Sequence, residues 1–254
     1  MMKAKVVLAA LTALVALPAL ATPASARPAD PAPGGPQRPH EADVEGTRNL
    51  DSLAVTATAG PGRSVTLAWD RSSRAETGQV PAGARRFVFL FDRSVRFNPD
   101  AFPTCARALI EEKGAAACPD GSQVGSGLAE YATGEPREVL AFNSRIGGSP
   151  GVLVVLPSNG VVLEQTLEHV SHQYREHYRW ALDEILPPND TPPQERAGTT
   201  RFRLSFGATR EHRGRTVGFV ESTARPGAAL RFGLWSEFVT GQVLVPVAKA
   251  RLGR

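Results

Sequence analysis

The chain has 254 residues, with 29 Lys and Arg against 25 Asp and Glu for a formal charge of +4, 42% hydrophobic residues and two cysteines. That composition excludes disordered, fibrous and multi-pass membrane classes and suits one or two compact domains. It identifies no reaction.

Residues 1–26 read as a secretory signal peptide: Lys3 and Lys5 form a positive start, Val6 to Leu20 an apolar run, and Ala24-Ser25-Ala26 a small-x-small cleavage site. The run is shorter than the roughly 20 residues that a spanning helix needs, so no transmembrane segment is expected. No cysteine follows it to accept a lipid, and the last residues, Ala248 to Arg254, are not a hydrophobic anchor. The product is expected to be secreted and extracellular. Residues 27–49, with Pro28, Pro31, Pro33, Gly34, Gly35, Pro36 and Pro39, carry too few apolar side chains to offset their ordering entropy and are expected to form a disordered leader. Residues 50–254 are then expected to form a single β-rich domain, which is long enough for one core.

Short runs of period-2 alternation, punctuated by Gly, Pro, Asn and Asp, dominate that domain and predict strands. In chain order these are Ser64 to Trp69, Arg86 to Phe91, Val139 to Phe142, Val152 to Leu156, Arg201 to Phe206, and a final hairpin of Leu230 to Phe238 with Gln242 to Ala248 around Thr240-Gly241. One short helix is expected at Ala106 to Lys113, stopped by Gly114. It lies between Cys105 and Cys118, which should pair in an exported protein and close a loop worth about 3 kcal/mol. The expected fold is mainly β: an antiparallel β-sandwich, or a partly open barrel, with one short helix inside a disulfide loop.

The same stretch carries a resemblance. Arg96-Phe97-Asn98-Pro99 leads to Phe102-Pro103-Thr104-Cys105, then Ala117-Cys118-Pro119, then Gly121-Ser122-x-Val124-Gly125-x-Gly127-x-Ala129. This order resembles a family of secreted proteins of high-GC actinobacteria with an LPxC, short helix, ACP, GS-x-VG-x-G-x-A pattern. A VLAFN strand, a VLVVLP strand and Arg225-Pro226-Gly227 continue it more weakly. The late segment of that family often carries further cysteines, whereas Ala224 and Arg225 stand here. The resemblance implies a secreted β-rich fold and no particular activity.

Catalytic motifs are sparse. Gly147-Gly148-Ser149-Pro150-Gly151 matches G-x-S-x-G, but a strand rather than a helix is expected after it, so it reads as a hairpin turn. No phosphate-binding lysine loop or dinucleotide fingerprint occurs, and no cofactor is expected. Residues 164–184 hold the densest chemistry. His169 and His172 are weak metal candidates, because His177 would sit about 140° away on a helix and no His-Glu-x-x-His occurs. Tyr174, Tyr178 and Trp180, interleaved with Arg175 and Arg179, form a candidate ligand platform. Either a helical stripe or a hairpin turning near Ser171 to Gln173 fits the segment, and the neighbouring strands favour the hairpin.

Charge is segregated: from Arg196 onward there are 11 Lys and Arg and 3 Glu. Arg201 and Arg203 should point outward together, with Arg210, Arg213 and Arg215 in the following turn and Arg231 beyond, forming a candidate anion-binding ridge. The expected function is a secreted, non-enzymatic protein of the cell exterior that binds an anionic envelope polymer or glycan weakly; nucleic acid is not the expected partner. The alternative is an extracellular hydrolase with carboxylates drawn from Glu164, Glu168, Asp183 and Glu184 across strands.

Overall fold

A computed structural model describes residues 27–37, 39–186 and 190–253. The expected signal peptide lies outside the described residues. The strands are β1 (Asn49–Ala59), β2 (Val65–Ala75), β3 (Ala84–Asp92), β4 (Val95–Phe97), β5 (Gln123–Glu130), β6 (Arg137–Ile146), β7 (Ser149–Leu156), β8 (Val161–His169), β9 (Tyr178–Ile185), β10 (Arg201–Phe206), β11 (Thr209–His212), β12 (Arg215–Gly218), β13 (Val220–Ser222), β14 (Ala229–Phe238), β15 (Val243–Leu244) and β16 (Val247–Gly253). Helix α1 is Arg107–Lys113.

The strands do not form a sandwich. Their order is β14-β16-β1-β2-β10-β5-β6-β7-β8-β9-β3, and β3 pairs back onto β14, so the sheet closes into an 11-stranded barrel. Alternation along a strand is the same whether the buried face meets a second sheet or a barrel interior. Closure depends on the β3–β14 pairing, from Gly233–Leu90 to Phe238–Ala84, which no local pattern encodes. Nor is the sheet wholly antiparallel: β1 runs parallel to β16, with Ala57 opposite Leu252.

Inward positions follow the expected parity. On β2 these are Val65, Leu67, Trp69 and Arg71; on β14, Leu230, Phe232, Leu234, Ser236 and Phe238. One end of the barrel is filled. There β4 pairs with β13, and Phe97 and Phe102 each meet Phe219 edge-on with ring centroids 5.7 and 5.5 Å apart. Above this plug Trp69 contacts Phe89, Phe91 and Phe232 at 5.2 to 5.5 Å. Edge-to-face packing of this kind fills a barrel lumen with rigid side chains.

Apolar positions on the outer wall are covered in two places. The Cys105–Cys118 disulfide is formed, and the segment it closes, with α1, lays Cys105 and Ile110 over Phe142, Leu153, Val155 and Val162 of β6, β7 and β8. Asn143 anchors this segment from below by donating hydrogen bonds to the carbonyls of Pro99, Phe102 and Pro103 at 3.0 to 3.1 Å. Much of the motif that carries the family resemblance thus has a structural task. Gly127 is part of it: a Cβ there would lie 1.8 Å from the Arg203 carbonyl oxygen on β10, so only glycine lets β5 approach so closely.

The second cover is the segment expected to be a disordered leader. Ala32 is fully buried against Val88, Leu90, Ala181 and Trp235. Asp30 pairs with Arg86 at 2.7 Å, the Pro31 carbonyl accepts from the Ser171 amide, and Glu41 and Asp43 bind Arg85. Its composition lacks apolar mass of its own, but a few side chains and backbone groups use a preformed wall, which a composition argument does not register.

Hairpin geometry agrees with the turn residues. Gly147 and Gly148 both have positive φ between Ile146 and Ser149, the pattern of a two-residue primed turn, so Ser149 is a strand residue and no strained nucleophile. The final hairpin pairs Ser236 with Leu244 and Glu237 with Val243, and β16 then pairs further along β14.

Candidate functional site

The end of the barrel away from the phenylalanine plug is hollow. A cavity of about 330 Å³ lies there, walled by Phe87 and Phe89 of β3, Ala129 of β5, Leu156 of β7, Val161 and Leu163 of β8 and Phe202 of β10, with Tyr131 and Leu186 at the strand ends. Residues 196–199 cross the mouth, held by a bridge between Ala82 and Ala197 and by the Gly198 amide donating to the Pro81 carbonyl at 2.7 Å. The volume falls within the range of small-molecule sites, and so does the chemistry of apolar walls around a few polar groups.

Those polar groups form one layer. Arg71, nearly fully buried, donates to Asp51 through Nε at 2.8 Å and Nη2 at 3.3 Å, to Thr199 Oγ1 through Nη1 at 3.0 Å, and lies 4.8 Å from the Phe87 ring centroid. Glu184 enters from β9, where it stands opposite Gln165 on β8 and Phe87 on β3. Its carboxyl accepts one hydrogen bond, from Gln165 Nε2 at 2.5 Å. Burial pushes this carboxyl up to about 7; the Gln165 hydrogen bond opposes the shift, the nearby Asp183 charge adds to it and the Arg71 charge opposes it. Gln165 Oε1 and Ser236 Oγ, in the same cross-strand row, are buried without a hydrogen-bond partner. The Tyr131 hydroxyl is also shifted upward, mainly by burial.

Sequence reasoning named Glu184 but grouped it with the wrong partners. Asp183 points to the opposite side of the wall, where Arg86 binds it through Nε at 2.7 Å and Nη2 at 2.6 Å under the residues around Ala32 and Gly35. Burial pushes Asp183 up while the Arg86 contacts pull it back; burial opposes the charge on Arg86, and its hydrogen bonds to Asp183 and Asp30 outweigh that and hold it protonated. Glu164 faces outward beside Arg107 at 3.5 Å, and Glu168 lies on the outer wall near Asp183. Of the four carboxylates, Glu184 faces the interior, and the sheet itself separates it from Glu164, Glu168 and Asp183. Arg71 and the phenylalanines were not singled out. Their signal was parity: Leu67, Trp69 and Arg71 share one face of β2, as Trp180, Leu182 and Glu184 share one face of β9.

The aromatic platform is dispersed. The hairpin reading of 163–185 holds, with β8 and β9 joined through a turn at His172–Tyr174, but a register shift beside Tyr178 breaks the parity. Trp180 stacks on His169 at 3.9 Å, Tyr178 is buried in the outer cluster with Ala32 and Trp235, and the Tyr174 hydroxyl donates to the Ala29 carbonyl at 2.8 Å. His172 sits in the exposed turn, and among the described residues no cluster of His, Cys, Asp and Glu could hold a metal ion.

The arginine ridge is also divided. Arg201 makes a two-pronged pair with Asp70 at 2.8 and 2.6 Å, which lowers the Asp70 carboxyl, and Arg203 binds Glu130 at 2.6 Å. Arg210, Arg213 and Arg215 stand apart, exposed on the β11–β12 hairpin, with Arg213 in the left-handed region at its tip. Arg231 Nε lies 3.4 Å from the Tyr178 hydroxyl.

No protein-family model, curated protein or solved structure matches the chain. The cavity is thus read from its own chemistry. Among the described residues no helix is long and apolar enough to cross a membrane.

Proposed function

We propose that the protein is a non-catalytic binder of a small, mainly apolar molecule, which it holds in the hollow end of the barrel, and that it works at the cell exterior. The observation that carries this reading is the cavity of about 330 Å³, apolar on its walls and polar at one layer around Arg71 and Glu184. Barrels whose lumen is incompletely filled use that space for ligands. The separation of Asp183 from Glu184 favours binding over hydrolysis, since acid and base must both reach the same substrate. The test is titration of an apolar fluorescent probe into the protein and into Leu163→Trp, which places an indole in the cavity. One site per chain, weakened at least tenfold in the variant, is expected; equal binding by both proteins removes the cavity as the site.

A weak contact with an anionic envelope polymer remains a second reading for the β11–β12 hairpin alone, favoured by its three exposed arginines. Binding to isolated envelopes should fall with rising salt and be lost in the Arg210→Gln, Arg213→Gln, Arg215→Gln triple variant. Salt-independent binding would end that reading.

A further inference from the structure

The cavity offers a ligand more than apolar contact, because its fixed charges do not balance. Two arginines line it, yet both are committed. Arg71 is tied to Asp51 and Thr199, and Arg196 donates to Glu41 at 2.8 Å and to the Thr191 carbonyl at 2.8 Å. Glu184, by contrast, has among the described residues the Gln165 amide as its hydrogen-bond partner and no salt bridge; the other charged or titratable groups around it are Arg71 on β2, Tyr131 beyond β5 and Asp183 behind it on the outer wall. The uncompensated charge available to a ligand is therefore that of a carboxylate. Around it stand Phe87, Phe89, Phe202 and Tyr131, whose ring faces attract cations at sites from which water is excluded. A guanidinium already exploits one of these rings, with Arg71 over Phe87.

Resting on the cavity reading, we propose that the ligand is an apolar molecule bearing one ammonium group, seated against Glu184 and among the rings of Phe87, Phe89, Tyr131 and Phe202. A carboxylate or phosphate head would meet an unpaired carboxyl and two arginines already neutralised, so anionic amphiphiles are disfavoured. Size follows from the volume: 330 Å³ at the roughly 30 Å³ that a water-sized group occupies in a liquid holds about 11 heavy atoms. Because Glu184 gains its charge close to neutrality, the preference for a cation should sharpen as pH rises and fade as it falls.

The test uses three probes of one chain length, decylammonium, decanol and decanoate, titrated calorimetrically into the wild-type protein near pH 8 and near pH 5.5, with Glu184→Gln beside it. Decylammonium is expected to bind at least tenfold more tightly than decanol near pH 8, with decanoate weakest, and the advantage should shrink severalfold near pH 5.5 and in the variant. The wild-type pH comparison carries the test if Glu184→Gln fails to fold. Equal binding of all three, or tightest binding of decanoate, would overturn the ammonium assignment and leave the cavity reading standing. No binding of any of them would overturn both.

Discussion

Glu184 is a carboxyl with one hydrogen bond and no salt bridge among the described residues, and its burial has a consequence for stability that runs opposite to that of most acidic residues. In the unfolded chain it titrates near the ordinary glutamate value of about 4.3, whereas in the barrel it titrates at about 7. Between those values the folded state holds a proton that the unfolded state has released. Stability therefore falls as pH rises through that window, and the loss is complete above about pH 7. The whole shift corresponds to at most about 4 kcal/mol. Glu184→Gln is expected to match the parent near pH 4, to exceed it near pH 8 and to lose less stability in between, as read by urea unfolding at each pH. Parallel pH profiles for the two proteins would mean that the side chain is hydrated in solution. This residue also shows what the sequence made legible. The parity of Trp180, Leu182 and Glu184 marks a charge on a core-facing row, but the carboxylates grouped with it, Glu164, Glu168 and Asp183, lie on the outer wall. Adjacent residues on a strand face opposite sides, so the true neighbours, Gln165, Phe87 and Arg71, come from three other strands.

At the level of elements, local signals were read well wherever the chemistry was itself local. The 147–151 turn, the β10 strand and the short helix follow from glycine placement, alternation and the Gly114 stop. The disulfide followed from expected compartment and spacing, with Cα atoms 5.2 Å apart across 13 residues. Its segment acts as an outer cover on β6, β7 and β8. Replacing both cysteines by serine should therefore cost about 3 kcal/mol, seen as a lower urea midpoint, and should raise the binding of a hydrophobic dye as Phe142 and Leu153 become uncovered. An unchanged midpoint would mean that the cover holds without its covalent link. The other cover was missed because it depends on a wall. Asp30 and Ala32 are linked locally, the Ala32 amide donating to Asp30 Oδ1 at 2.8 Å, but the burial of the Ala32 side chain and the ion pair of Asp30 come from β3, β9 and β14 once these are assembled.

For the whole molecule, the difference between the expected sandwich or partly open barrel and the closed barrel lies in two pairings, β3 with β14 and β1 with β16, neither of which joins neighbours in sequence. The cavity depends on both, since its walls come from strands that only closure brings into one ring. Removing residues 247–253 should uncouple β14 from β1, expose two strand edges and abolish probe binding, with soluble protein giving way to aggregate in expression trials. Soluble, probe-binding protein from that truncation would show that the ring closes without β16. The parallel seam also fixes the order of events during synthesis. A ribosome working from the amino end releases β1 early and β16 late, so Ala57 waits for Leu252 through almost the entire translation of the barrel. Such long-range closure folds slowly. Until β16 emerges the ring cannot close, so β1 keeps an open edge through most of synthesis, as does β14 once it is made, and the last strand acts as a clasp.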